Sequence, residues 1–398
     1  MEQKVMDRID TVVEQLAPDL KKLALDIHGN PELGHQEVKA CQWQVELLEK
    51  YGFTVEKNFC GMATSYKAVY QGKKSGPRIA MLAEYDALPE IGHACGHNLI
   101  AMMSVGSGIA MREFADEYGA EITVIGTPAE ETAGGKVEMS RKGAFKGYDA
   151  VMMAHPYQGS GSSINTMAMV CRTFEFFGRT AHAAAAPEEG INALDAMINF
   201  FNMVNALRQQ TRPDARIHGI IENGGVAPNI IPDYTKALFY VRGAKMGYVE
   251  EVLEKVIACA EGAAKGTGCT MKVSLAEEDF KDTDSNMYLS ELACEQMEKL
   301  GYNMVRNGRE TIPGSSDLGD VSYEAPSIQL MAGMGKREGE ADYVPHTVEF
   351  EAHACSEESL NMGLDFVKGF TMTAVELMTN PAHLEEIKKE FALVGQKK

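Results

Sequence analysis

Gly92-His93-Ala94-Cys95-Gly96-His97-Asn98 places a thiol and two flanking imidazoles within five residues, bracketed by two glycines. The preceding run, residues 78–84 (Arg-Ile-Ala-Met-Leu-Ala-Glu), reads as a buried strand. The following run, 99–114, is apolar and reads as a helix. A short glycine-bearing turn between strand and helix is where an open α/β sheet places its chemistry. Cys95 and His97 are two positions apart, so on a regular helix they would point in different directions. In a turn they can converge on one ion. The free N–H groups at a helix start are expected to lower the thiol pKa toward the thiolate that metals bind.

The pattern around this turn is one of alternation. Helical periodicity runs through residues 1–28, with Pro31 as a stop, and again through 38–50. Strands are expected at 53–56, 65–70, 78–84, 121–126 and 150–154, with helices at 99–114 and up to about residue 142. Strands alternating with helices predict an α/β fold with a mainly parallel sheet. Three successive strand ends then carry Cys95 with His97, Glu130 with Glu131, and His155. Parallel strands bring these ends to one edge.

The texture changes near residue 168. Strands at 169–178, 215–222, 234–242 and 270–276, with helices at 191–207 and 248–265, give the order βαββαβ of a ferredoxin-like α+β sandwich. It reads as an insertion, residues 168–278, in a domain made of 1–167 and 279–398. In the resumed domain a helix at 285–300, a strand at 327–331 and a final helix at 356–377 are expected.

Bulk properties narrow the function. The 398 residues carry 57 acidic and 38 basic side chains, a net charge of -19. That balance argues against nucleic acid or an anionic membrane as partner. No apolar run approaches the roughly 18–20 residues of a membrane span, and the polar N-terminus lacks a signal-peptide core. The eight cysteines are scattered without a framework of close spacings, which fits reduced thiols in the cytoplasm.

Adjacent glutamates usually mark a solvated surface. At the predicted edge, one of Glu130 and Glu131 can bind metal while the other accepts a proton from water. With Cys95, His97, His155 and His346, that gives one Cys, three His and one Glu, enough for two divalent ions sharing one ligand. Thiolate and imidazole suit Zn²⁺, with Mn²⁺, Co²⁺ and Ni²⁺ compatible.

In order along nearly the whole chain stand Ile27-His-Gly-Asn-Pro-Glu-Leu-Gly34, Ala83-Glu-Tyr-Asp-Ala-Leu-Pro89, His93-Ala-Cys-Gly-His97, Pro128-Ala-Glu-Glu131 and Met153-Ala-His-Pro156. They continue with Gly178-Arg-Thr-Ala-His-Ala183, Gly190-Ile-Asn-Ala193, Pro228-Asn-Ile-Ile-Pro232, Gly314-Ser-Ser-Asp317 and His346-Thr-Val-Glu-Phe350. This set resembles the aminoacylases and amidohydrolases of metallopeptidase family M20, in the branch with a Cys-Gly-His metal motif. The forms of two motifs are most similar to the sub-branch that holds an aminobenzoyl-glutamate hydrolase chain and the aminoacylase-like dipeptidases. Two positions depart from the family pattern: Asn98 and Glu84 stand where Asp is commoner.

The resemblance implies a metallohydrolase catalytic domain and an inserted lid or dimerisation domain. It implies Cys95 as shared ligand, with His97 and His155 on one ion and Glu131 and His346 on the other. Glu130 would be the general base, and Asp86 would orient a ligand. His182 would reach the oxyanion, in many relatives from the partner subunit of a homodimer. Asn229, Arg242 and Ser316 are substrate-binding candidates, the first two for a carboxylate. The expected reaction is cleavage of the amide bond in an N-acyl amino acid or dipeptide, a small-molecule substrate with a free carboxylate. The alternatives are an aminobenzoyl-glutamate or indole-acyl-amino-acid hydrolase, and a catalytically silent metal-binding scaffold.

Overall fold

The computed structural model describes residues 2–335 and 343–395, which form two compact units. Of the described residues, unit one comprises 2–165, 283–312, 317–335 and 343–395; unit two comprises 166–282 and 313–316.

The first unit is built on a six-stranded sheet. Its strands lie in the order Thr54–Lys57, Tyr66–Gln71, Glu121–Gly126, Arg78–Ala83, Ala150–Tyr157 and Ser327–Gly333. The last four pair in parallel, and the first two form an antiparallel flank. The sheet is thus mainly parallel on the side where the chemistry was expected. Arg78–Ala83 is central and apolar, with five of six residues buried, as a strand covered on both faces must be.

Helix His97–Phe114 follows it and is buried nearly all round. Its close packing depends on small residues. A Cβ built on Gly108 would lie 2.3 Å from Val124 Cγ2 on the neighbouring strand, and one on Gly106 would lie 2.7 Å from Leu20 Cδ1. Helices Gln3–His28 and Glu357–Thr379 pack against it.

Two details differ from the sequence expectation. The strand expected to end at Ala154 continues through His155 and Pro156 to Tyr157. Beyond Met152 it is paired only with Ser327–Gly333, and a strand bonded on one side tolerates a proline. A further helix, Pro381–Phe391, follows the one expected to be final. Asn380 caps it, with Pro381 in the first turn, a start signal that the sequence did contain.

The second unit has the order strand, helix, strand, strand, helix, strand. Its elements are Ala168–Phe177, Ala193–Leu207, Arg216–Asn223, Tyr234–Gly243, Met246–Thr267 and Thr270–Phe280. All strand pairs are antiparallel, with Thr270–Phe280 and Arg216–Asn223 at the two edges. The inner face alternates cleanly along Tyr234–Gly243, and its Phe174 and Phe239 pack against Phe200 of helix Ala193–Leu207. Among the described residues no helix is long and apolar enough to cross a membrane.

Gly108 tests the tight helix–sheet contact. In an exposed helix, Gly to Ala gains about 1 kcal/mol. Here overpacking should reverse the sign, and Gly108→Ala is expected to lose about 1–3 kcal/mol. Denaturant unfolding of variant and parent checks this; an equal or raised midpoint would refute the packing account.

Candidate metal centre and active site

Three parallel strands deliver the site. Arg78–Ala83 leads into Glu84 and Asp86, Glu121–Gly126 leads into the Thr127–Glu131 loop, and Ala150–Tyr157 carries His155. The Cys-Gly-His turn caps helix His97–Phe114 with Gly96 at φ 77°. A side chain at Gly96 would meet Pro156 at 2.8 Å, so glycine is required both by conformation and by space.

Cys95 Sγ lies 3.4 Å from His155 Nε2. The His155 ring donates from Nδ1 to the Pro156 carbonyl at 2.8 Å, which leaves Nε2 facing the thiol. His97 is oriented in the same manner: Nδ1 is 3.0 Å from Asp86 Oδ1, and Nε2 points to Glu84 Oε2 at 3.4 Å and Glu131 Oε1 at 3.8 Å. Asp86 uses its second oxygen to accept the backbone N–H of Glu131 at 3.0 Å. His346 arrives from the far end of the chain. Its backbone N–H donates to the Ala94 carbonyl at 2.8 Å, and its Nε2 is 3.6 Å from Glu131 Oε1.

Two donor sets result, Cys95 with His97 and His155, and Cys95 with Glu131 and His346; within each, the ligand atoms lie within 4.8 Å of one another. Among the described residues, His97 Nε2 and Glu131 Oε1 are buried without a hydrogen-bond partner. Orphaned donor atoms facing a shared sulfur are what a pair of divalent ions would satisfy. The residues therefore fit divalent ions, with Cys95 common to both donor sets.

Electrostatics follow from burial. Burial pushes the Cys95 thiol well up, and nearby His97 only partly offsets it. The helix-start argument predicted the opposite direction; desolvation in this interior is the stronger effect. For His97, burial alone would favour the neutral ring, but Asp86 and Cys95 outweigh it and raise the pKa. Burial lowers that of His155. Glu131 is held at about 2: burial opposes ionisation, and His346, His97 and Cys95 overcome it. Glu130 goes the other way, raised by burial and then by Glu84, Asp317 and Glu131. The pKa values of the two adjacent carboxyls are thus driven apart.

The second unit carries the remaining candidates. His182 is exposed; its Nδ1 accepts from the Ala185 N–H at 3.2 Å, and it forms a bridge with Ile230. Asn229 is beside it, its carbonyl accepting from Ala183 N–H at 3.0 Å. Arg242 lies over the Tyr240 ring, with its Nε buried and unbonded among the described residues. Ser316 is buried.

Residues 167–267 match the peptidase dimerisation domain of the M20 family. Over 409 aligned residues the chain is 35% identical to a Xaa-Arg dipeptidase of Mus musculus, covering 98% of this chain and 92% of that protein. The chain belongs to the M20 metallopeptidase family. It is a metal-dependent amidohydrolase. Over 292 residues it is 32% identical to a p-aminobenzoyl-glutamate hydrolase chain of Escherichia coli K12, covering 68% of this chain and 60% of that protein. A solved dinuclear metal-binding peptidase of the family, from Bacillus subtilis, shares the fold with a TM-score of 0.68 at 22% identity, covering 92% of this chain and 99% of that one.

Sequence reasoning missed Lys136, Asp317 and Glu37 at this M20 site and read Glu84 only as a departure from the family pattern. Glu84, Lys136 and Asp317 form a buried ionic group next to Glu130. Lys136 gave no signal, because lysines in a first helical turn are ordinarily solvated. Glu37 accepts the Ala129 N–H at 2.8 Å and the Thr64 hydroxyl at 2.8 Å. It anchors the loop just before Glu130, where Ala129 takes a left-handed φ of 60°.

Burial raises the Glu37 pKa from an ordinary 4.5 to about 7. A folded-state pKa above the unfolded one gives stability that is full below pH 4.5 and is lost as pH rises through 7. The shift corresponds to about 3 kcal/mol. Glu37→Gln, neutral throughout and still able to accept from Ala129, should flatten that loss. Denaturant titrations of parent and variant at pH 5 and pH 8 check it, and an unchanged pH 5 to pH 8 difference would refute it.

Proposed function

We propose that this amidohydrolase cleaves dipeptides or N-acyl amino acids bearing a free carboxylate, with Glu130 as general base. The observation that carries this reading is the placement of Glu130. Its carboxyl oxygen, one of Glu131 and a ring nitrogen of His97 lie within 4.8 Å of one another, yet Glu130 belongs to neither thiol-containing donor set. Dipeptides come first because the relative matched over nearly its full length is a Xaa-Arg dipeptidase. The likeness to a p-aminobenzoyl-glutamate hydrolase chain puts that amide on the same test panel.

Two divalent ions would be held by Cys95, His97, His155, Glu131 and His346, with Zn²⁺ the first choice for a thiolate–imidazole set and Mn²⁺, Co²⁺ or Ni²⁺ as alternatives. Bound there, the ions supply Lewis acidity that acidifies water and polarises the amide carbonyl. Glu130, placed beside the donor set as a carboxylate, takes the proton of the attacking water and returns it to the leaving nitrogen. Asp86 keeps His97 Nε2 directed into the donor set. His182 would donate to the developing oxyanion, the role in which preorganised donors matter most. Asn229, Arg242 and Ser316 would hold the substrate's polar groups, with the Arg242 guanidinium on its carboxylate.

We further read the protein as a cytoplasmic homodimer joined through the second unit. The matched region is a dimerisation domain. Strand Arg216–Asn223 supports the reading: it is an edge strand, and it exposes Ile220 and Ile221.

Glu130→Gln should retain its metal and lose turnover by about 100-fold or more, the usual worth of a general base. Metal analysis and initial rates on dipeptides, N-acyl amino acids and p-aminobenzoyl-glutamate check this; a near-normal rate would remove Glu130 from the mechanism. If His182 acts across a dimer, mixing inactive Glu130→Gln and His182→Ala chains should regenerate activity, because one hybrid site has both residues intact. Absence of recovery after demonstrated subunit exchange would place His182 in its own chain's reaction.

A further inference from the structure

Beside the thiol cluster lies a second acidic group. Glu84, Glu130 and Asp317 each bring one carboxyl oxygen within 4.8 Å of the others, and Glu84 and Asp317 are 1% and 0% exposed. Three carboxylates so close in an interior have the donor chemistry of a divalent-cation site. Here a lysine enters instead. Lys136, fully buried in helix Gly135–Arg141, places Nζ 2.6 Å from Asp317 Oδ1 and 2.6 Å from Glu84 Oε1. Its own backbone N–H donates to Asp317 Oδ2 at 2.9 Å. Asp317 therefore grips both ends of the lysine, which fixes where the ammonium can go.

The arrangement does more than staple two loops. The second oxygen of Glu84 has no hydrogen-bond partner among the described residues and stands 3.4 Å from His97 Nε2, on the side of a proposed metal ligand. The buried links run in sequence from Asp317 to Lys136, to Glu84, to His97. Glu84 is also one of the two positions where the sequence departs from the family's commoner Asp, and the longer side chain is the one that meets the lysine.

We propose that Lys136 is a positioning residue whose ammonium is the resident cation of the Glu84–Glu130–Asp317 group: it keeps a third divalent ion out and holds Glu84 turned toward His97. This rests on the two-ion, Glu130-base reading above. With the ammonium removed, the three carboxylates have the charge and spacing to capture an ion. Glu130 would then be spent as a ligand and lost as a base.

The test counts divalent ions per chain in the full-length protein equilibrated with Zn²⁺ or Mn²⁺. Lys136→Ala removes the ammonium and leaves room; it should bind one ion more than the parent. Lys136→Ala/Asp317→Asn removes one of the three carboxylates and restores the charge balance; it should return to the parent's count. In both variants kcat, counted per folded chain by circular dichroism and an unfolding midpoint, should fall at least about tenfold while KM stays within about threefold, as when an interaction made only in the transition state is lost. An ion count in Lys136→Ala equal to the parent's, or kcat within about twofold of it, overturns the proposal. Should the single variant not fold, the charge-balanced double variant decides: kcat within about twofold of the parent overturns the proposal, and a fall with KM held supports it. A parent count other than two strikes at the two-ion reading instead, because this inference is measured by the difference between variants.

Discussion

One buried carboxylate ties the site together. Asp86 gives one oxygen to His97 Nδ1 and the other to the backbone N–H of Glu131, both at 3.0 Å. The Cys-Gly-His turn and the Glu-Glu loop are more than thirty positions apart in the chain, and this side chain fixes both at once. It is itself held ionised by His97 against the cost of burial. A charge in such an interior survives only if it is paired or hydrogen-bonded. The same demand explains why the protein supplies His155 with the Pro156 carbonyl and the Ala129 loop with Glu37.

Around that link the interior is unusually ionic for a core of Ala, Met, Ile and Leu. Glu84, Asp86, Lys136 and Asp317 are all essentially without solvent contact. The sheet makes this possible. Parallel strand ends converge at one edge, and each brings an acid or an imidazole that the next strand's loop can meet. Helix His97–Phe114, wedged between sheet and outer helices, keeps the floor of the site rigid. Rigidity matters because ligands a fraction of an ångström out of place bind metal poorly.

The contrast between Glu130 and Glu131 is electrostatic. They are neighbours in sequence and chemically identical. Glu131 faces His346, His97 and Cys95 and is drawn to the ionised form. Glu130 faces Glu84 and Asp317 and is driven toward the neutral one. Which of two adjacent glutamates is ligand and which is base was left open by the residues themselves and had to be taken from the family resemblance. In the folded chain the two carboxyls stand in different surroundings.

Much of the architecture was legible because it is written in local periods. The apolar run 78–84, the alternation along 234–242 and the helical stripe of 1–28 each state their own element, and the change of texture near residue 168 separates parallel-sheet order from βαββαβ order. The chemistry at the strand ends was legible for the same reason: Cys95, His97, Glu130, Glu131 and His155 sit where topology alone gathers them. Local signals cannot report long-range electrostatics. The sequence suggested a lowered Cys95 thiol from its helix start, whereas burial among packed side chains raises it. Lys136 and Asp317 lie 181 positions apart and meet at 2.6 Å, and Glu37 supports a backbone N–H 92 positions away. The sequence by itself determined the elements, their order and the ligand-bearing turns, because those depend on neighbours along the chain. Tertiary structure alone decided which buried charges face one another, because desolvation and Coulomb energy depend on distance in space, and that is set only once the sheet has closed around them.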